Sequence, residues 1–126
     1  MIKQLIITIM ASVISIGAFA QESLLTEYNK EIEPAYKILK GNKMLLQPLA
    51  DKELRGELIT KKDLDRGLFI ECSSLINLNK INKISNKPKY KNLEKAQRMQ
   101  KLIPKLKENM SATKEKCDKE GLYVPD

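Results

Sequence analysis

Apolar residues recur at helical spacing along the chain, and no segment shows the sustained alternation expected of a β-strand. The first stripe predicts a helix with Ser23 as its N-cap and Gly41 as its C-cap glycine, kinked or restarted at Pro34. Residues 42–47 are predicted as a connection. The apolar members of this first stripe are Leu25, Tyr28, Ile32, Tyr36 and Leu39.

Two further stripes predict a short second helix and a third helix. Pro48 suits the first turn of the short helix, which Gly56 weakens. Thr60 and Asp63 resemble a capping box, with aspartate in place of the usual glutamate, and open the third helix. The apolar members are Ala50, Leu54 and Leu58, followed by Leu64, Leu68, Cys72, Leu75 and Ile76.

A polar connection over residues 80–91 precedes the last helical stretch. Asn92 is its predicted N-cap, and Gly121 ends it, with Leu122 as the contact residue of a Schellman turn and a short tail beyond. Its stripe is Ala96, Met99, Ile103, Leu106, Met110, Thr113 and Cys117. The sequence therefore predicts an all-α antiparallel bundle of about four helices, forming one domain over residues 21–126.

The first twenty residues differ from the rest, because 14 of them are apolar. Lys3 gives a positive start, and Ala18-Phe19-Ala20 has the small-x-small pattern of a signal-peptidase site. The apolar run would extend about 24 Å as a helix, short of a bilayer core of roughly 30 Å. We expect residues 1–20 to be a signal peptide, cleaved after Ala20, and the product to be periplasmic or secreted. No later run approaches the length of a membrane span.

Export determines how the two cysteines, Cys72 and Cys117, are interpreted. In an oxidising compartment they should form one structural disulfide. A straight last helix would place Cys117 about 37 Å from that helix's start, whereas Cys72 lies about 10 Å from the adjoining end of its own helix. Because a disulfide needs Cα atoms within about 7 Å, we expect a break between Ile103 and Ser111, at Pro104 or around residues 109–111.

Composition excludes most catalytic and metal-binding classes. The chain has no histidine, which removes the usual nucleophile pairs, the usual neutral-pH base and most zinc or haem ligand sets. The pairs Glu27 with Glu31 and Glu53 with Glu57 are interpreted as solvated helix faces. Ser73 and Ser74 lack a recognisable base partner. We therefore expect no enzymatic activity, no cofactor and no metal.

Charge is concentrated in residues 80–107, which carry 10 basic side chains and one acidic one, Glu94. This window is a candidate surface for an anion or another partner, through Lys83, Lys87, Lys89, Tyr90, Lys91, Lys95 and Arg98. The competing interpretation is a solvated lysine-rich segment that reflects A- and T-rich codons. Export argues against nucleic acid as the ligand.

Two functional hypotheses follow from these observations. The first is an exported binding or inhibitor protein, such as a protector against an enzyme that attacks the cell envelope. The second is a cationic envelope protein that binds anionic lipid or polysaccharide through residues 80–107. The first rests on size, export, a disulfide and the lack of catalytic groups, and the second rests on charge alone.

Overall fold

The computed structural model describes residues 22–122, which form an all-α bundle as predicted. The helices are α1 (Glu22–Leu54), α2 (Lys61–Ser85), α3 (Glu94–Asn109) and α4 (Ser111–Lys119), with a 3₁₀ turn at Pro88–Tyr90. Helix α2 is central, since α1, α3 and α4 all pack on it. The predicted signal peptide and the tail after Leu122 lie outside the described residues.

Helix α1 is longer than predicted. It runs for 33 residues through Gly41, Pro34 and Pro48, so the predicted C-cap at Gly41, the connection over 42–47 and the separate helix from Pro48 are wrong. Each proline removes one backbone hydrogen bond from the helix. The buried stripe nevertheless continues along this stretch, through Asn42, Leu46, Leu49 and Ala50. Packing against α2 therefore outweighs the local preference of proline and glycine to end a helix.

The glycine that ends α1 is Gly56, which adopts a φ of 69°. Its N–H donates to the Glu53 carbonyl at 3.1 Å, and the Glu57 N–H donates to the Lys52 carbonyl at 2.9 Å. These two bonds form a Schellman motif, in which a glycine tolerates the left-handed conformation at low cost. Gly56 was expected only to weaken a helix, and it instead terminates one.

The capping box that opens α2 is confirmed. The Asp63 N–H donates to the Thr60 hydroxyl, and the Thr60 N–H donates to the Asp63 carboxylate, both at 3.1 Å. Helix α2 then continues to Ser85, six residues into the predicted polar connection, because Ile81 and Ser85 are buried. Helix α3 begins after Leu93, which is itself buried, and not after a side-chain cap from Asn92.

The predicted disulfide and the predicted helix break are both present. Cys72 and Cys117 are bonded, with 5.9 Å between their Cα atoms. The chain breaks at Met110, between α3 and α4, and Pro104 stays inside α3. Gly121, with a φ of 75°, ends α4 in the predicted Schellman motif, where the Leu122 N–H donates to the Cys117 carbonyl at 2.8 Å.

Candidate functional site

The predicted basic segment folds back against the start of α1, and two of its lysines meet carboxylates there. Lys87 Nζ lies 2.5 Å from a carboxylate oxygen of Glu31. Lys89 Nζ lies 2.5 Å from Glu27 and 3.0 Å from Glu31. The two glutamates, one turn apart on α1, keep part of their expected exposure to solvent, and they also neutralise part of the predicted cationic surface.

Tyr90 belongs to the same cluster but is fully buried. Its hydroxyl donates to Glu31, and its ring meets the Tyr28 ring edge to face, with centroids 5.0 Å apart. Lys87, Tyr90 and Lys89 together lower the pKa of the Glu31 carboxyl to about 2. Burial raises the pKa of Tyr90 to about 12. Tyr90 therefore acts as a packing residue that joins the segment to α1.

The remaining predicted residues are divided between paired and free cations. Lys95 donates to Asn29 at 2.7 Å, and burial lowers its pKa. Arg98 pairs with Glu94 one turn away, at 2.8 Å. Lys83 and Lys91 are exposed and form no ion pair within residues 22–122. Of the seven predicted residues, these two keep a fully available charge.

A different surface emerges from the burial pattern. Among the described residues, the exposed large hydrophobic side chains all fall between Ile38 and Phe69. They are Ile38, Met44, Leu45, Leu54, Leu58, Leu64 and Phe69. The helices α3 and α4 contribute none of them. Exposure concentrated in one part of a small protein is a recognised mark of an interaction surface.

Three of these exposed side chains, together with the partly buried Ile76, lie beside one contact between α1 and α2, where Asn42 Nδ2 donates to Ser73 Oγ at 3.2 Å. Positions i−4 and i+3 flank position i on a helix. Ile38 and Leu45 therefore flank Asn42, and Phe69 and Ile76 flank Ser73. Because α1 and α2 are antiparallel, Leu45 is level with Phe69, and Ile38 with Ile76. We call Ile38, Leu45, Phe69 and Ile76 the apolar face.

The apolar face is open to solvent on α1 and at Phe69. The exposed fractions are 43% for Ile38, 46% for Leu45 and 61% for Phe69, whereas Ile76 is partly buried against the core. Asn42 and Ser73 lie between the two rows and fix the register of the helices, since Asn42 also donates to Ser74 at 3.1 Å. These hydrogen bonds therefore tie α1 to α2 directly beneath the face.

Cations lie at both ends of the apolar face. On α2, Phe69, Ser73 and Ile76 form a row with spacings of four and three residues. The same spacings, continued in both directions, reach two basic residues beyond each end of this row. These rim cations are Lys62, Arg66, Lys80 and Lys83. All four are exposed and form no ion pair in the described part of the chain. Lys83 belongs both to this rim and to the predicted basic surface.

The other side chains that could take part in catalysis or metal binding are hydrogen-bonded within the fold or do not form a cluster. Ser74 Oγ donates to the Ile70 carbonyl at 3.0 Å, and Ser73 accepts from Asn42. Within residues 22–122, no three or more acidic or cysteine side chains come together as a metal site. A small open cavity of about 230 Å³ lies at the α3–α4 break, lined by Leu75, Lys107, Ser111, Lys114, Glu115 and Asp118.

Sequence reasoning missed the apolar face because each stripe was assigned to the core. The available signal was residues that fall beside a stripe: Ile38 beside the first one, Phe69 beside the third, and Leu45 in a segment too apolar for a connection in water. Their position on one seam depends on the α1–α2 register, which no local pattern encodes.

Searches against protein-family models, curated proteins and solved structures find no match to this chain. Among the described residues, none of the helices combines the length and apolar character that a membrane span requires.

Proposed function

We propose that this protein is an exported helical binding module whose apolar face holds a protein partner in the cell envelope. An inhibitor that protects against an envelope-targeting enzyme is the form of this function that we favour. The observation that carries the proposal is the apolar face itself, with Ile38, Leu45 and Phe69 between 43% and 61% exposed on a scaffold that is otherwise well packed.

The energetics of such a face suit protein binding. Full burial of a large apolar side chain contributes about 1.5–3 kcal/mol, and a few such anchors usually dominate an interface. The α1–α2 register is fixed by Asn42, and the disulfide ties α2 to α4. A scaffold that is ordered before binding loses less conformational entropy when the complex forms.

Two features support export. The apolar first twenty residues have the layout of a signal peptide, and the Cys72–Cys117 disulfide is of the kind that persists in oxidising compartments. No catalytic activity is assigned, because the candidate groups Ser73, Ser74, Glu27 and Glu31 take part in structural contacts.

The alternative function is binding of anionic lipid or polysaccharide through residues 80–107. This alternative is favoured by exposed cations that form no ion pair in the described residues, such as Lys83, Lys91, Lys101 and Lys105. Lys87 and Lys89 count against it, because Glu27 and Glu31 already neutralise them.

A capture experiment with matched variants tests the proposal. The full chain with a C-terminal tag is expressed for export, incubated with envelope extract of the source organism, cross-linked and recovered. Phe69→Ser and Leu45→Ser should each lose at least one protein that the unmodified chain captures. Leu58→Ser, which changes an even more exposed leucine outside the face, should retain it.

Capture that survives both face variants would refute the proposal. Binding to vesicles made of equal parts phosphatidylglycerol and phosphatidylcholine, lost in Lys83→Glu with Lys91→Glu but not in Phe69→Ser, would support the alternative. Mass spectrometry of the recovered protein tests export, since a chain beginning at Gln21 is expected and an intact chain of 14.4 kDa in the cytosol would contradict it.

A further inference from the structure

We infer that the partner presents an acidic amphipathic helix, which lies along the α1–α2 seam over the apolar face. This inference rests on the proposed function and adds the chemistry of the partner. It depends on two observations that are independent of each other: the length and direction of the apolar rows, and the sign of the charge at their ends.

The spacing of apolar side chains within each row matches the repeat of an amphipathic α-helix. Ile38 and Leu45 are seven residues apart, as are Phe69 and Ile76, so each row spans about 10.5 Å along its helix axis. A partner helix repeats its own apolar side chains every seven residues over the same distance. It can therefore pack on α1 and α2 at once, as a further helix does in a bundle.

An extended segment fits this surface less well. Strand addition requires an open sheet edge with free backbone donors and acceptors, and the described residues contain no strand. The backbone groups beneath the face are already used within α1 and α2, so side chains must supply the contacts.

The rim cations determine the charge of the partner. Lys62 and Arg66 lie at one end of the face and Lys80 and Lys83 at the other, and no carboxylate among residues 22–122 pairs with them. Glutamate or aspartate on the flanks of a docked helix would meet these cations, and such complementarity raises association rate and specificity.

The same charges argue against a second copy of this chain as the occupant. Twofold pairing of two such faces brings the cations of one copy to those of the other, whether the copies run parallel or antiparallel. Like charges opposed in this way disfavour the complex. An anionic membrane also attracts cations, but a flat surface would meet the whole side of α1, where Glu27 and Glu31 already neutralise the neighbouring lysines.

The test uses two designed peptides that share one apolar heptad stripe and differ only in their flanking residues, glutamate in one and lysine in the other. Binding to the oxidised full chain is measured by fluorescence anisotropy at low and high salt. The glutamate peptide should bind about tenfold or more tightly than the lysine peptide, and the difference should shrink with salt.

Charge reversal on the protein gives the sharper comparison. Lys80→Glu with Lys83→Glu should remove the preference between the peptides, because two cations and two anions then flank the apolar face, whereas Lys101→Glu with Lys105→Glu, an equal change on α3, should leave it unchanged. Phe69→Ser should weaken both peptides, because the apolar contact is common to them. The salt dependence of the unmodified chain gives an answer even if a reversed variant does not fold.

Equal binding of the two peptides, or no binding of either, would overturn the inference. The inference would also be overturned if the apolar face bound phosphatidylglycerol vesicles, or made the protein dimerise, and did not bind the acidic peptide. None of these results refutes the proposed function, which fails only if Phe69→Ser and Leu45→Ser leave protein capture unchanged.

Discussion

Glu31 is the residue on which the junction between α1 and the basic segment depends. Its carboxylate receives Lys87, Lys89 and the Tyr90 hydroxyl, which come from a segment more than fifty residues away. The Tyr28 hydroxyl forms a hydrogen bond of 2.6 Å with Ser85, at the buried end of α2, and strengthens the same end of the bundle. One carboxylate therefore organises three partners at this junction.

Replacing Glu31 should change how stability depends on pH. The Glu31 pKa is about 2 in the folded protein against an ordinary 4.5, so the unfolded chain takes up the proton first. The stabilisation is complete above about pH 4.5 and is lost as pH falls towards 2. Urea unfolding of Glu31→Gln should show lower stability at neutral pH and a weaker decline on acidification.

Glu33→Gln is the matched control for this prediction. Glu33 lies on the same helix and, among the described residues, pairs only with exposed Lys37, one turn away, at 3.0 Å. Replacing Glu33 should not change how the free energy of unfolding depends on pH, relative to the unmodified chain. If Glu31→Gln and Glu33→Gln follow the same pH profile as the unmodified chain, the ionised Glu31 contacts do not stabilise the fold.

This junction was beyond prediction from the sequence. The pattern showed Glu27 and Glu31 on one helix face with Lys30 nearby, and it showed a separate lysine-rich window. Their pairing requires the return path of the chain after α2, which is set by burial of Ser85, Tyr90 and Leu93. Local spacing reveals which residues share a face, but not which distant segment covers it.

At the scale of elements, the helix ends that are specified by a short capping motif were predictable from the sequence. The Thr60–Asp63 capping box and the Gly121 turn were located correctly, because each is specified by a few adjacent residues. Gly41 does not end a helix, because glycine ends a helix where it adopts a positive φ, and Gly41 lies inside α1. Among the glycines of the described residues, only Gly56 and Gly121 have a positive φ.

The contrast between Gly41 and Gly56 gives a direct prediction. Gly41 is inside α1, and a Cβ added there meets nothing within 4 Å, so Gly41→Ala should stabilise the protein by about 0.5–1 kcal/mol. Gly56→Ala should destabilise it by about 1 kcal/mol, because alanine is strained at a φ of 69°. Urea unfolding measures both, and effects of the same sign would contradict a helix α1 that continues through Gly41 and ends at Gly56.

At the scale of the whole molecule, the central position of α2 explains why both a disulfide and an open face exist. Helices α3 and α4 pack on α2, and the bond from Cys72 to Cys117 fixes α4 there. Helix α1 packs on another side of α2, and the apolar face beside Asn42 and Ser73 is left open to solvent. The disulfide was predictable from the signal-peptide pattern and the cysteine spacing, whereas the open apolar face required the assembled structure.

Helix α4 should depend on the disulfide more than any other element. It has nine residues, too few for a stable helix on its own, and it buries only Thr113 and Cys117. The cysteines are 45 residues apart, so the chain-entropy model gives about 4 kcal/mol for the cross-link. Both cysteines are buried, so a reductant should reach the bond only after the protein opens.

The variant Cys72→Ser with Cys117→Ser tests this dependence. Its free energy of unfolding should fall by about 4 kcal/mol, and hydrogen exchange should show α4 losing protection before α1 and α2. The apolar face is formed by α1 and α2 without α4, so binding of the acidic peptide should persist while the variant stays folded. Uniform loss of protection across all helices would mean that α4 is part of one cooperative unit and that the disulfide stabilises the bundle as a whole.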